Sequence, residues 1–475
     1  MSLSAKGRIL THWAAGNQSR HYRCVGIGVG PANLSLASLM YGYPEMTNLF
    51  MDKNENFRWH DGQQMPGTSI QVSMLKDLVS LAEPTSAYSF LAYLHESGRI
   101  YHFLNAQFDA VPRQEFRNYM EWASWKNKNI VFGQEVTSVE YNDVFRIQAR
   151  TAQAGAAQAG AAQSGAAQSG TAQSGTAQAS TAQATTMAVT ADNIVIGVGV
   201  EPCVPPQARI HLGESQFHVS QFLAKAGNLG GMRVGVVGGG QSGAEVFLEL
   251  LSRRDGDLPR RVVWISRRPN YFPLDDSPFT NDFYMPSYSE YFARLDSATR
   301  HAFNARQVLT SDGISASTLR LIYQCIYTRR FIDGYADLVA LYPNRGVTGV
   351  ARASARTWNL ELTHNDHAGL RENVELDVVI WATGFRPVPL NFLAPIESRL
   401  EREGDEYKID NSFAVQWDGP VERNIFLQNA ARGQRGLADP NLSLNAWRSQ
   451  QILDRLRGVR TEHQLSSFID WTTKP

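Results

Sequence analysis

Cysteine is scarce in this chain. The 475 residues contain only three cysteines, Cys24, Cys203 and Cys325, and no two of them form a Cys-x-x-Cys motif. Disulfide scaffolds, zinc ribbons and redox dithiols need paired or closely spaced cysteines, so this distribution argues against all three. It is typical of a protein from a reducing cytoplasm.

An excess of charge and long apolar runs are also missing. Lys+Arg and Asp+Glu are both 45, so nothing in the balance indicates a nucleic acid or an anionic membrane as partner. No apolar run approaches the length of a membrane span. The apolar patches within residues 1–20 are too short for a signal-peptide core, and we expect a loose N-terminal extension there. The 11 histidines have no metal-ligand spacing, so no metal site is expected.

Glycine, in contrast, occurs in patterns. An apolar run leads into Gly26-Ile27-Gly28-Val29-Gly30-Pro31-Ala32-Asn33, and helical spacing follows to residue 40. Gly26 allows a tight turn, Gly28 lets the backbone approach a pyrophosphate, and the new helix offers its amide groups to that anion. The predicted strand 48–52 then ends in Asp52, a carboxylate suited to a ribose hydroxyl. The alternative is a tight strand–helix turn that binds nothing.

A second and stronger pattern begins at Gly238. A β-type run, residues 233–237, precedes Gly238-Gly239-Gly240-Gln241-Ser242-Gly243, and a helical stretch follows to residue 251. The next predicted strand, residues 261–265, ends in Ser266-Arg267-Arg268 and carries no carboxylate there. Cations at this strand end suit the 2′-phosphate of NADP, whereas an acidic residue would suit NAD. The alternative is a solvated basic pair.

Together the two patterns predict one site for FAD and one for NADPH. The buried run 377–381, followed by Ala382-Thr383-Gly384, supports this prediction, because two-dinucleotide flavoproteins return to the FAD domain through such a turn. We therefore predict an α/β fold in which a Rossmann-like NADPH domain is inserted into a Rossmann-like FAD domain, with a small substrate-binding region. The predicted parts are the extension 1–20, the first FAD part 21–225, the NADPH domain 226–375 with a substrate-binding segment 275–330, and the second FAD part with C-terminal helices 376–475.

Residues 151–186 are of low complexity. Glutamine recurs every fifth residue from Gln153 to Gln183 among Ala, Gly, Ser and Thr. A segment without large apolar side chains cannot offset its ordering entropy by burial. We expect a disordered, functionally neutral insert at a hairpin tip, because a predicted strand, residues 193–197, follows it. An interaction arm is the alternative.

Four blocks resemble one family, the flavin-dependent N-hydroxylating monooxygenases of siderophore biosynthesis, which act on lysine, ornithine or diamines. Generic flavin monooxygenases share the glycine stretches but lack two of the blocks, the one around Lys76 and the one that begins at Asp275. The resemblance extends from about Tyr22 to Trp471 and is nearest to the lysine N6-hydroxylase type. The blocks are Gly-x-Gly-Pro-x-Asn at 28–33, Leu75-Lys76-Asp77-Leu78-Val79 followed by Pro84-Thr85-Ser86, Asp275-Asp276-Ser277-Pro278-Phe279-Thr280-Asn281, and Gly436-Leu437-Ala438-Asp439-Pro440-Asn441-Leu442-Ser443.

The resemblance implies a role for individual positions. Lys76 and Asn281 are expected at the catalytic centre, and both are expected to bind the substrate together with Ser443. Without the resemblance, Lys76 would be interpreted as a snorkelling side chain. The expected FAD contacts are Gly26, Gly28, Gly30, Pro31, Asn33, Asp52, Trp59, His60, Gln71, Asn441 and Leu442. The expected NADPH contacts are Gly238, Gly240, Gln241, Ser242 and Arg267.

The implied reaction is hydroxylation of the terminal amine of L-lysine by NADPH, FAD and O₂ through a C4a-hydroperoxyflavin, which supplies hydroxamate precursors for siderophores. Cadaverine, putrescine and L-ornithine are the alternative substrates. Ornithine enzymes carry an asparagine where this chain has Thr310 or Ser311, which argues against ornithine. The family often has Thr-His-Gly where this chain has Gln434-Arg435-Gly436, so Arg435 could alter substrate choice. A homo-oligomer, dimer or tetramer, is expected from the family.

Three other classes share parts of the pattern. A flavin disulfide reductase has the same fold but needs the cysteine pair that this chain lacks. A Baeyer–Villiger or sulfide monooxygenase is the nearest chemical rival. A non-catalytic NADPH-binding regulator is the alternative outside enzymes.

Overall fold

A computed structural model describes residues 20–151, 186–254, 256–367, 369–461 and 467–471. The predicted N-terminal extension, apart from its last residue, and the interior of the predicted insert lie outside these ranges. The strands are β1 His21–Ile27, β2 Asn48–Asp52, β3 Ile130–Phe132, β4 Gln134–Asn142, β5 Val144–Thr151, β6 Thr186–Ile196, β7 Val200–Pro202, β8 Gln216–His218, β9 Arg233–Val237, β10 Arg261–Ile265, β11 Val339–Tyr342, β12 Arg345–Ser354, β13 Thr357–His364, β14 Arg371–Leu376, β15 Val378–Trp381, β16 Phe385–Pro387, β17 Arg402–Glu403, β18 Glu406–Tyr407 and β19 Ile425–Leu427.

The helices connect these strands and cover the sheets. Several shorter 3₁₀ turns lie between them, including Thr280–Tyr284 and Leu442–Leu444. The α-helices are α1 Pro31–Met40, α2 Phe90–Glu96, α3 Ile100–Ala106, α4 Arg113–Lys126, α5 Pro206–Arg209, α6 Phe222–Lys225, α7 Gln241–Ser252, α8 Pro286–Ala293, α9 Ser297–Arg306, α10 Leu309–Asp312, α11 Ala316–Tyr327, α12 Arg432–Arg435 and α13 Asn445–Arg457.

The first sheet is organised around β6. Its strand order is β3-β2-β1-β6-β5-β4, with parallel pairing from β3 to β6 and antiparallel pairing from β6 to β4. The short strand β19 pairs in parallel with the carboxyl-terminal part of β6, where Ile425 lies opposite Ile194. Strands from both halves of the chain therefore complete this sheet.

The second sheet has the order β11-β10-β9-β15-β8, and every pair in it is parallel. Its strands are runs of Val, Ile and Trp, as expected for a sheet that is covered on both faces. Helix α7 covers one face, and the antiparallel sheet β12-β13-β14 covers the other through residues such as Trp358 and Leu360. Strands β8 and β15 lie outside residues 226–375, so this sheet extends beyond the predicted bounds of the NADPH domain at both ends.

Two chain crossings connect the sheets. The chain leaves the first sheet after β6 and returns after β15, and the strands β7 and β16 on these crossings pair with each other. Helix α13 packs against α1 on the first sheet. Each sheet thus presents the carboxyl ends of its parallel strands next to the crossings, the position where Rossmann-like folds bind ligands.

The predicted insert follows a hairpin strand. Strand β5 ends at Thr151 and β6 begins at Thr186, and Arg150 lies opposite Thr186 in the antiparallel pair. The two ends of the insert are therefore neighbours in the sheet. Its predicted disorder concerns residues outside the described ranges.

Among the helices that the structure describes, none combines the length and the apolar character needed to cross a bilayer.

Candidate functional site

The first glycine turn approaches the neighbouring strand closely. Gly28 has a φ of +87°, and a Cβ added there would lie 2.5 Å from the carbonyl oxygen of Gly197. Helix α1 begins directly after Gly30, with Pro31 in its first turn and no side chain capping its amide groups. These N–H groups remain available for an anion, as the prediction of a pyrophosphate site requires.

Asp52 lies beside this turn at the end of β2. Its Oδ2 accepts a hydrogen bond from the backbone N–H of Val29 at 2.7 Å, and its Oδ1 accepts one from the N–H of Asn54 at 2.8 Å. The carboxylate lines a cavity of about 390 Å³ that also includes Gly28. An adjoining cavity of about 570 Å³ shares lining residues with it and continues to Gln428. The two cavities follow the carboxyl ends of β2, β1, β6 and β19, where a dinucleotide is expected.

Asn33, a predicted FAD contact, is fully buried and bonded within the protein. Its Nδ2 donates to the carbonyl oxygens of Gly28 at 2.8 Å and Ile27 at 3.1 Å, and its Oδ1 accepts from Gln428 Nε2 at 2.8 Å. Gln428 in turn accepts from Arg448 Nε at 3.2 Å. The Asn33 side chain therefore fixes the shape of the glycine turn. The backbone of that turn, and not the side chain of Asn33, is left to contact a ligand.

Other predicted FAD contacts lie near the crossing between the sheets. The rings of Trp59 and His60 meet edge to face at 4.7 Å, and Phe385 of the return crossing is 6.5 Å from His60. Gln71 is exposed. Asn441 lies at the other end of the chain, and its Oδ1 accepts from the N–H and the Oγ of Ser443 at 2.9 and 2.8 Å. Leu442 follows it, half-buried, at the start of the 3₁₀ turn Leu442–Leu444.

The second glycine turn has the same kind of geometry. Gly238 has a φ of +140°, and an added Cβ would lie 2.0 Å from the carbonyl oxygen of Ala382. Helix α7 begins after Gly240 with no capping side chain, and Ser242 lies in its first turn. At the end of β10, Arg267 is exposed, which leaves it accessible to a phosphate.

The neighbouring side chains Arg268 and Gln241 are bonded to the protein. Arg268 donates to the carbonyl oxygens of Gly239 and Asp312 at 3.1 and 2.9 Å. Gln241 accepts from the N–H of Ser315 at 2.8 Å. Both side chains thus connect the glycine turn to the segment that was predicted to bind the substrate.

Lys76 lies in that region. It is half-buried, and its Nζ is 5.8 Å from the centroid of the Tyr284 ring. Burial lowers the pKa of the Lys76 ammonium group below its ordinary value. The Tyr284 hydroxyl donates to the carbonyl oxygen of Thr310 at 2.5 Å. The structure thus brings together the lysine block, the 3₁₀ turn that contains Asn281, and the Thr310 segment.

Asn281 and Ser443 are bonded within their own segments. Asn281 is exposed, and its Nδ2 donates to the carbonyl oxygen of Asp276 at 3.1 Å. Its Oδ1 remains available to accept a hydrogen bond. Ser443 is buried. Within the described ranges, no hydrogen bond joins Ser443 to Lys76 or Asn281.

Comparison with known proteins supports the predicted family along almost the whole chain. The family model described as L-lysine 6-monooxygenase/L-ornithine 5-monooxygenase matches residues 20–171 and 163–387. The L-lysine N6-monooxygenase of Escherichia coli is 35% identical over 438 residues, which is 91% of this chain and 94% of that protein. The chain belongs to the L-lysine 6-monooxygenase/L-ornithine 5-monooxygenase family.

Two solved members of this family have a similar structure. The FAD-bound cadaverine monooxygenase of the desferrioxamine pathway from Erwinia amylovora has a TM-score of 0.82 and 25% identity, covering 95% of this chain and 99% of that one. The ornithine N-hydroxylase of Kutzneria sp. 744, solved with reduced FAD, NADP⁺ and L-ornithine, has a TM-score of 0.78 and 25% identity, covering 92% and 99%. The predictions of a two-dinucleotide fold, of a flavin-dependent N-monooxygenase, and of FAD and NADPH as the cofactors of this family are confirmed.

One difference from the family pattern, Arg435, has a structural role. Arg435 is buried, donates to the carbonyl oxygen of Asp410 at 2.6 Å, and lies 4.6 Å from the centroid of the Phe413 ring. Arg432 contacts the helix Leu309–Asp312, which contains Thr310, with its Nη2 3.3 Å from Ser311 Oγ, and Arg268 donates to the Asp312 carbonyl oxygen of the same helix. No sequence motif distinguishes Arg432 from other arginines, so this contact was not predictable from the sequence.

Proposed function

We propose that this enzyme hydroxylates the terminal amine of L-lysine, using NADPH, FAD and O₂, to give N6-hydroxylysine. The observation that carries the proposal is the position of Lys76 beside Tyr284 and the Thr310 segment. A fixed ammonium group there offers a charge-assisted partner for the α-carboxylate of lysine, which a diamine lacks. The 35% identity with a lysine N6-monooxygenase favours the same substrate.

FAD and NADPH fit the two glycine turns. At Gly28 and Gly238 a side chain would collide with backbone oxygen atoms, so only glycine leaves the backbone open to a pyrophosphate at these places. Both following helices begin with uncapped amide groups. When bound, FAD reduced by NADPH supplies the activated oxygen atom, and the protein supplies orientation and electrostatics.

The substrate amine must react in its neutral form. With a lysine-like pKa of about 10.4, only roughly one amine in a thousand is neutral near pH 7.4, a cost of about 4 kcal/mol. Asn281 can accept a hydrogen bond from the amine through Oδ1 without adding a negative charge that would keep the amine protonated. Burial lowers the pKa of Lys76 in the same region, and the same desolvation would favour the neutral form of a bound amine.

Cadaverine is the second candidate substrate. The exposed carboxylates Asp275 and Asp276 lie on the loop before Asn281 and could attract the second ammonium group of a diamine. The cadaverine monooxygenase of Erwinia amylovora has a TM-score of 0.82 to this chain. Either product would be a hydroxylamine that a siderophore pathway acylates to a hydroxamate.

Hydroxylamine formation measured with lysine, ornithine, cadaverine and putrescine tests the proposal. We expect kcat/KM for L-lysine to exceed that for each other amine by at least about 100-fold, equivalent to about 2.7 kcal/mol. A preference for cadaverine or putrescine would assign the enzyme to the diamine branch. NADPH oxidation without any N-hydroxylated product would contradict the proposed chemistry.

A further inference from the structure

A buried ion pair ties the helix of the second glycine turn to the first sheet's unit. Arg113 is the first residue of α4, and Glu245 lies in the second turn of α7. Arg113 Nη2 is 2.6 Å from Glu245 Oε1, and Nη1 is 2.8 Å from Oε2, so the pair is bidentate. The side chains are 11% and 5% exposed. Two parallel charge-assisted hydrogen bonds fix both the distance and the orientation of the groups they join.

Arg113 also holds the loop of residues 60–71. Its Nη1 donates to the carbonyl oxygen of Gln63 at 3.0 Å, its Nη2 donates to that of Ser69 at 3.4 Å, and its backbone N–H donates to that of Thr68 at 3.0 Å. His60 and Gln71, both expected to contact FAD, are the two ends of this loop.

The same loop packs against the second unit. Met65 is 3% exposed and belongs to the apolar core beneath the second sheet. A Cβ added at Gly62 would lie 1.8 Å from the carbonyl oxygen of Ser220, so the backbone of the loop touches the backbone after β8. The loop therefore lies between the FAD-side and NADPH-side units, and Arg113 fixes it from one side.

Glu245 continues the network toward the NADPH and substrate segments. Its Oε1 also accepts from Gln241 Nε2 at 2.9 Å, and Gln241 Oε1 accepts from the N–H of Ser315 at 2.8 Å. Gln241 is the first residue of α7 and an expected NADPH contact, and Ser315 precedes α11. One chain of hydrogen bonds thus joins the 60–71 loop, the second glycine turn and the substrate segment.

We infer that Arg113 and Glu245 are positioning residues for flavin reduction: their ion pair sets the place of α7, and with it NADPH, relative to the loop that contacts FAD. In this step a hydride passes from NADPH to FAD, so NADPH is oxidised and FAD, which also takes up a proton from solvent, is reduced. Such a transfer needs reacting atoms about 3–3.5 Å apart, and a misplacement of about 1 Å can cost on the order of 100-fold in rate. The inference uses the proposed function only in that NADPH reduces FAD, and the amine substrate does not enter.

The test compares three variants with the wild-type holoenzyme. Glu245→Gln keeps the shape and removes the charge, and Arg113→Lys keeps the charge and removes the bidentate geometry. The double variant Arg113→Met with Glu245→Met removes the pair without leaving a lone buried charge, which limits the loss of stability. We expect anaerobic FAD reduction by NADPH to slow by at least about 10-fold in all three. Reoxidation of dithionite-reduced enzyme by O₂ should stay within about twofold, since the pair acts before that step.

Arg253→Met is the matched control. Arg253 is 9% exposed and pairs with Glu249 and Asp257, and it donates to the carbonyl oxygens of Ala226 and Gly227, but all these partners belong to the second unit. Its replacement should lower thermal stability while leaving the rate of FAD reduction within about twofold of wild type.

A second readout needs no cofactor. In the apoprotein, amide hydrogen exchange at residues 62–71 should be at least about 10-fold faster in Glu245→Gln than in Arg253→Met. Unchanged FAD reduction in the double variant, or equal slowing in Arg253→Met, would overturn the inference. A wild-type protein that is not reduced by NADPH would instead contradict the proposed function, and unchanged exchange would then overturn the positioning role independently.

Discussion

Lys76 and Tyr284 lie against each other at the substrate segment, with the ammonium nitrogen 5.8 Å from the ring centroid. The Tyr284 hydroxyl is bonded to the carbonyl oxygen of Thr310, and burial raises the pKa of Tyr284, so the ring stays neutral and fixed. A cation at such a distance from an aromatic face gains about 0.5–2 kcal/mol. The contact therefore restrains the Lys76 side chain beside Tyr284, where we propose that it binds the carboxylate of the substrate.

Replacing Lys76 should affect the amino acid and spare the diamine. Lys76→Met removes one charge-assisted hydrogen bond of about 1.5–3 kcal/mol, so KM for L-lysine should rise by about 10- to 100-fold. KM for cadaverine, which has no carboxylate, should change by less than about threefold. Steady-state hydroxylamine formation checks both values. Lys128→Met, at an exposed position, is the control, and an equal effect on both substrates would contradict carboxylate binding.

Gly28→Ala should abolish FAD binding. The φ of +87° costs an L-residue about 1–2 kcal/mol, and the added methyl group would also meet the Gly197 carbonyl oxygen at 2.5 Å. We expect the flavin content per polypeptide, measured from visible absorbance after dialysis, to fall to about a tenth or less. Gly98→Ala has a similar φ of +66° with no atom within 4 Å of the added group, and it should retain FAD. Full flavin content in Gly28→Ala would argue against this turn as the FAD site.

Arg267 is expected to decide between NADPH and NADH. An exposed guanidinium at the end of β10 can bind the 2′-phosphate through charge-assisted hydrogen bonds of about 1.5–3 kcal/mol. In Arg267→Ala, KM for NADPH should rise by about 10- to 100-fold while KM for NADH stays within about twofold. Initial rates of cofactor oxidation measure the two values. A parallel rise for NADH would show that Arg267 does not read the 2′-phosphate.

His218 should make stability depend on pH. Its Nε2 donates to the carbonyl oxygen of Gly384 at 3.0 Å, its Nδ1 accepts from the N–H of Ser220, and burial lowers its pKa to about 4. In the unfolded chain the His218 imidazole takes up a proton near pH 6.5, whereas in the folded protein it does so only near pH 4. The contribution of neutral His218 to the free energy of unfolding is therefore fully present above pH 6.5 and is lost as the pH falls toward 4. At pH 5 the loss from this group is about 2 kcal/mol.

Urea unfolding of wild type and His218→Gln at pH 7.5 and 5.0 measures this contribution. Other titrating groups act in both proteins, so the comparison isolates His218. The drop between the two pH values should be smaller in His218→Gln by about 2 kcal/mol. Identical drops would mean that His218 titrates normally in the folded protein.

The insert should be dispensable. Because Arg150 lies opposite Thr186, replacing residues 152–184 by Asn-Gly would close β5 and β6 with a two-residue type I′ turn. We expect FAD content and kcat within about twofold of wild type, measured on the purified shortened chain. A loss of activity with intact FAD binding would favour the alternative of an interaction arm.

The elements that local patterns specify were predicted closely. Strand β2 has the predicted bounds 48–52 and β10 the bounds 261–265, because apolar runs between a glycine turn and a polar end leave little freedom. A glycine turn follows β1 and another follows β9, as predicted, but the positive φ of the first turn lies at Gly28, whereas the tight turn was expected at Gly26, which is part of β1. These are properties of a few adjacent residues.

Contacts between distant segments were not predictable in this way. The pair Arg113–Glu245 and the Asn33–Gln428 hydrogen bond join residues that share no pattern in the chain, and only packing of the two units brings them together. The family resemblance implied an FAD contact for Asn33, and the hydrogen bonds of its side chain to the glycine turn and to Gln428 were not predicted. The sheet that contains β8 and β15 likewise depends on parallel pairing with β9, which no local signal specifies.

The pairing of β19 with β6 bears on the order in which the chain folds during synthesis. The stretch from β8 to β15, residues 216–381, contains every strand of the second sheet, so that unit can form as soon as it leaves the ribosome. The first sheet begins earlier, but residues 194–196 of β6, which lie beyond its pairing with β5, have no partner on that side until residues 425–427 are made. The unit that starts first is therefore completed last, and a nascent chain passes through a stage with one finished nucleotide domain and one exposed strand edge.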